Sequence, residues 1–290
     1  MIRVATALLT VLSVAGSAAA QQPEDTAEIL KWYYQHYPFV TMEDTIYTFE
    51  TEFVLPDGFH RPDSSELTPF QNWVSHFPLW HRWKPVGHWK GGKQYEKDEI
   101  SRAVHLPWKG ERHTDKTIPV RILGEWLFYR QREPELRVVP KSGTTLRYED
   151  FLGGELRFNN RMEPFFQPSE PRPPSPREYY RFLMTCLDLT SYGSLVANCD
   201  TVAVGDLSPG DLFIAHDETG RQGRVYIVLV KLVNDRGDRL FAIACGCEEA
   251  CDFHIPLLTK DRDQPWVTVA QIEQLAEVYT HRGFFRLRIQ

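Results

Sequence analysis

The sequence predicts an α+β fold, an antiparallel strand meander covered by helices. Three observations point there. Between Gly205 and Leu258, four apolar runs at residues 211–215, 224–233, 239–244 and 253–258 are separated by turn signals. The longest run is apolar at both parities, with Val225, Ile227 and Leu229 alternating with Tyr226, Val228 and Val230, as a strand covered on both faces requires. Segments with helix-start signals and helical apolar spacing fill much of the remaining chain.

Taken in order, the first twenty residues read as an export signal. Arg3 is followed by an apolar stretch, and Ala18-Ala19-Ala20 offers a small-residue cleavage site. The expected organisation is therefore a signal peptide at 1–20 and a single α+β domain at 21–290, periplasmic or extracellular. No other stretch approaches the roughly 18 apolar residues of a membrane helix, so no membrane span is expected. Residues 26–37 look helical, 45–55 alternate like a strand, and Thr68 with Pro69 opens a short helix over 68–77. Residues 118–130 carry Ile118, Ile122, Leu123, Trp126 and Leu127 at helical spacing. Short strands are expected at 136–140 and 146–148, and the proline-rich stretch 164–176 reads as an extended connection. Ser175 and Pro176 open a helix to about Thr190, and Thr268 caps a last one over 269–279. In the meander, Ser208-Pro209-Gly210-Asp211 and Asn234-Asp235-Arg236-Gly237-Asp238 supply the turns.

The formal net charge of −6 excludes the electrostatic footprint of general nucleic-acid binding. Eight tryptophans suit either a well-filled core or a surface that stacks on sugars or peptides. The basic-aromatic stretch from Trp80 to Lys93 makes Trp83 and Trp89 candidate ligand-binding residues. Five cysteines, an odd number, leave at least one thiol unpaired within an exported chain. Cys186 with Cys199 and Cys247 with Cys251 are the two pairings considered. Cys245, Cys247, Cys251 and His254 have the donor types of a zinc site. Their spacing is not that of a standard finger, and an exported chain tends to oxidise such thiols. No cofactor is expected. His105, between apolar Val104 and Leu106, is expected to face solvent, and Glu111, His113 and Asp115 read as a charged lead-in to a helix.

Several stretches together resemble the bacterial domain of unknown function 4846, with the best match over residues 56–266. They are Pro56-Asp57-Gly58-Phe59-His60-Arg61, Phe70-Gln71-Asn72-Trp73-Val74, Phe77-Pro78-Leu79, Gly91-Gly92-Lys93, Arg121–Leu127, Ser191-Tyr192-Gly193-Ser194-Leu195, Gly210–Ile214, and Ala244 with Ala250–Ile255. That family usually has a cysteine opening a helix, a histidine starting the central strand and a glutamine after the next strand. The resemblance implies a papain-like layout of the cell-wall peptidase kind. In this sequence those three positions fall on Asp115, Arg224 and Cys245. Asp115 is a far weaker nucleophile than a thiolate stabilised at a helix start, and Arg224 stays protonated and cannot accept a proton as imidazole does. The expectation is a degenerate site that binds a cell-wall or peptide ligand through Arg224 without catalysis. The alternative is a thiol hydrolase or amidase acting on cell-wall peptides, in which Cys245 is the nucleophile beside His216 or His254.

Overall fold

The computed structural model describes residues 37, 47–108 and 110–289. The chain divides into two compact units, Met1–Met42 and Glu43–Gln290, and every element named here belongs to the second. The expected signal peptide at 1–20 and, Tyr37 apart, the expected helix at 26–37 lie outside the described residues.

The architecture is mixed α+β with antiparallel pairing throughout. Eight strands position the candidate site: β1 (Phe59–His60), β2 (Ile100–Ala103), β3 (Cys199–Thr201), β4 (Leu212–His216), β5 (Gly223–Asn234), β6 (Arg239–Ala244), β7 (His254–Pro256) and β8 (His281–Leu287). Strands β4, β5 and β6 form the expected meander, in register at Ile214 with Val225 and at Ile227 with Ala244. β1 joins the far end of β5, while β8 lies on the other edge of β4 and carries β3 beyond it. β5 is covered on both sides, with Val225, Ile227, Val228, Leu229 and Val230 all buried. One face of the sheet packs Phe213, Val228, Phe241, Ile243 and Phe284 against Ile272 and Ala276. Burying each large side chain in such a cluster contributes about 2 kcal/mol relative to leaving it in water.

The main helices are α1 (Pro69–Ser75), α2 (Ile118–Tyr129), α3 (Pro176–Asp188), α4 (Tyr192–Ala197) and α5 (Val269–Gln274). Four begin as their sequences dictate. Thr68, Ser191 and Thr268 close reciprocal capping boxes, and the Ser175 side chain accepts from the Glu178 amide. α2 and α3 pack closely because Gly124 has no side chain: a Cβ there would lie 2.6 Å from Leu183 Cδ1.

Several expectations need correction. Within 45–55, Phe49–Glu52 is a helical turn, because Thr48 and Thr51 cap each other and outweigh the alternation. The proline-rich stretch contains a strand, Pro164–Pro168, paired with Gly154–Phe158, its prolines at the strand ends where a missing N–H costs least. The run at 253–258 is not the fourth strand of the meander; β7 leaves the sheet and pairs with β2. The last helix stops at Gln274, and β8, which no alternation announced, enters the sheet beside β4. His105 is buried, its ring centroid 3.7 Å from that of Trp80. A buried Arg102 holds this side together: its guanidinium donates to Glu52 Oε2 at 2.6 Å and Asp263 Oδ1 at 2.8 Å. No helix among the described residues is long and apolar enough to cross a membrane.

Candidate functional site

The site forms where the start of α2, the start of β5 and the end of β6 meet. Each contributes one of the positions expected to form it. After β6 the chain makes a ten-residue loop whose ends are tied by mutual backbone hydrogen bonds between Cys245 and His254, 2.9 and 3.0 Å. A Cys247–Cys251 disulfide closes the loop from within. The loop docks on the start of α2 through the Asp115 N–H, which donates to the Cys247 carbonyl at 3.0 Å. Gly246 makes that approach possible, since a Cβ there would sit 2.9 Å from the Asp115 nitrogen and 2.6 Å from Ile118 Cδ1.

Asp115 is buried, and its two oxygens have different partners. Oδ1 accepts from the Tyr192 hydroxyl and from the Lys116 N–H, both at 2.8 Å. Oδ2 has no hydrogen bond among the described residues and faces Arg224 Nη1 at 3.8 Å. Burial pushes the carboxyl up from its usual range, against the pull of the Tyr192 hydroxyl, the Lys116 amide and the Arg224 charge. Tyr192 reaches it because Gly223 leaves room: a Cβ at Gly223 would come within 2.9 Å of the tyrosine ring. Arg224 is 41% exposed and lies near Tyr192, Tyr226 and Tyr279.

Cys245 completes the convergence. Its Sγ lies 3.8 Å from His254 Nε2. Burial, reinforced by the Asp115 charge, pushes the thiol up to about 12. Burial likewise pulls His254 down to about 4, so the neutral forms of both groups dominate near neutral pH. The proton therefore stays on sulfur, and the pair is no thiolate–imidazolium couple. His216, the other candidate base, stacks on His281 at 5.1 Å and contacts the Asp217 carbonyl through Nδ1.

The four-residue zinc set does not assemble in this form. Cys247 and Cys251 are joined to each other, so neither sulfur is available as a thiolate, although both lie with His254 inside a 4.8 Å cluster. The other pairing considered is absent too, since Cys186 and Cys199 are free, buried thiols.

The two candidate tryptophans part company. Trp83 is 56% exposed, but Arg82, Lys97 and Arg262 all lie over its ring, at 5.2, 4.5 and 6.0 Å. Trp89 is exposed, carries Lys90 over its ring at 5.1 Å, and borders a cavity of about 270 Å³. Sequence reasoning passed over Tyr192 as a site residue. The available signal was its place directly after the Ser191 cap, where the helix start holds the ring close to the first residues of β5.

Compared with known proteins, the chain matches the family model described as Domain of unknown function (4846) over residues 49–284. No curated protein and no solved structure matches it.

Proposed function

Because the chain belongs to the domain of unknown function 4846 family, we propose that it is an exported envelope protein whose degenerate papain-like site binds a cell-wall or peptide ligand through Arg224 without catalysis. One observation carries this reading: the Asp115 carboxylate and Arg224 guanidinium meet at 3.8 Å where the resemblance puts the thiol and imidazole of a hydrolase. At that distance the pair is electrostatic and not hydrogen-bonded. The fork of guanidinium N–H donors is left open to a second anion, while the buried carboxylate keeps the charge in place. A peptide carboxylate, terminal or on a side chain, has the matching charge and planar geometry.

The test is calorimetric titration of the full chain with peptidoglycan fragments and carboxylated peptides. Arg224→Ala should weaken binding about tenfold or more, the value of one charge-assisted hydrogen bond. Equal affinities of the two proteins would discard the reading. The competing thiol hydrolase is tested by alkylation near neutral pH with peptide mapping. A neutral, half-buried Cys245 should label slowly in the folded chain compared with the unfolded one, and rapid labelling of the folded chain would reinstate the hydrolase.

A further inference from the structure

The geometry points to a second binding site, for one uncharged sugar ring, in the cavity walled by Trp89, Trp108, His113, Lys84 and Asp252. Two of its lining residues carry three buried polar atoms with no partner among the described residues: both ring nitrogens of His113 and the indole nitrogen of Trp108. His113 is 7% exposed and Trp108 9%, and both line the cavity. A buried polar group without a partner costs about 1–3 kcal/mol, and native proteins seldom concentrate three at one place unless something else fills them.

The donor and acceptor inventory selects the class of ligand. Burial, together with Arg121 and Arg112, pulls His113 down to about 4, so near neutral pH its ring offers one donor and one acceptor. The indole adds a donor. Asp252 accepts from the Gly87 N–H through Oδ2 at 2.8 Å, which leaves Oδ1 as a further acceptor. Each sugar hydroxyl can donate or accept, so two separate hydroxyls of one ring match the donor and the acceptor nitrogen of a neutral imidazole. Lys84 and Asp252 carry opposite charges, so the walls favour neither an anion nor a cation. Trp89 and Trp108 each carry a cation over the ring, Lys90 at 5.1 Å and Arg121 at 5.4 Å, so stacking on a pyranose uses the remaining face of exposed Trp89. The volume, about 270 Å³, lies just under the range of drug-sized ligand sites and suits a single ring.

This site is independent of the Arg224 reading, and one set of titrations separates the two. Calorimetry on the full chain would use glucose, N-acetylglucosamine and their β-linked oligomers. Saturable binding is expected, weakened about tenfold in Trp89→Ala, the loss of one stacked aromatic face. It should be unchanged in Trp83→Ala and in Arg224→Ala, since neither residue lines this cavity. A His113 variant could lose its fold, so the histidine is followed in the wild type: its ring NMR signals should shift on saturation with sugar. No heat of binding with any saccharide at millimolar concentration would assign the orphan nitrogens to water and overturn the proposal. Wild-type affinity in Trp89→Ala, or His113 signals that sugar leaves unmoved, would overturn it equally.

Discussion

Gly246→Ala should lower the stability of the chain by about 3 kcal/mol, the upper end of overpacking costs, and its melting temperature by roughly 6–12 °C. The new methyl would meet Ile118 Cδ1 at 2.6 Å and the Asp115 nitrogen at 2.9 Å. An isoleucine methyl can rotate away. The backbone nitrogen of a residue that is itself bonded to the Cys247 carbonyl cannot. Relief has to come from lifting the 245–254 loop off the start of α2, which separates Cys245 from Asp115 and takes the candidate site apart. Gly237→Ala is the matched control. It also acts through a glycine, here at φ +83°, but nothing lies within 4 Å of its Cβ position. Only the left-handed backbone penalty of about 1 kcal/mol applies there. Equal melting temperatures for the two variants would mean that the loop does not press on Asp115.

Acidification is expected to remove about 3 kcal/mol of stability through His254 alone as pH falls from about 6.5 towards 4. The sign follows from the direction of the shift. The folded imidazole is pulled from 6.5 down to about 4 by burial, so below pH 6.5 the unfolded chain takes up a proton that the folded chain refuses. The stabilising contribution is complete above the unfolded value and disappears as pH falls through the folded one. His113 is shifted to the same value for the same first reason and adds a second contribution of that size. The buried carboxyls of Asp115 and Asp211, both pushed up by burial, act in the opposite sense and blunt the total slope. Chemical denaturation of the wild type and His254→Gln at several pH values isolates the histidine. The variant should lose the His254 share of the acid slope, and parallel curves would show that this imidazole is not held neutral.

Much of the local structure was legible because it rests on neighbours in sequence. The caps at Thr68, Ser175 and Thr268 all lie within three residues of the amides they satisfy. The turn at Asn234–Asp238 closes on itself, with the Asn234 side chain accepting from the amides of Arg236 and Asp238. The three meander strands appear within one residue of the bounds their apolar runs suggest. What failed was long-range. β8 carries Arg282, Gly283 and Arg286 and shows no clean alternation, yet it pairs with β4 because that strand's free edge offers unsatisfied backbone groups. The run ending at Leu258 looked like a meander strand, and nothing within it says that its partner is β2, some 150 residues earlier.

The sequence by itself determined which residue types occupy positions 115, 224 and 245. That is enough to exclude a cysteine–histidine pair at the first two, since an aspartate and an arginine cannot do that chemistry whatever surrounds them. Only the tertiary structure decided that these three meet, that Tyr192 reaches Asp115 from 77 positions away, and that Cys247 is joined to Cys251 and unavailable to a metal. The reason is physical. Charge and nucleophilicity belong to the side chain, whereas burial, pairing and proton affinity depend on neighbours that only close packing at Gly223 and Gly246 brings within reach.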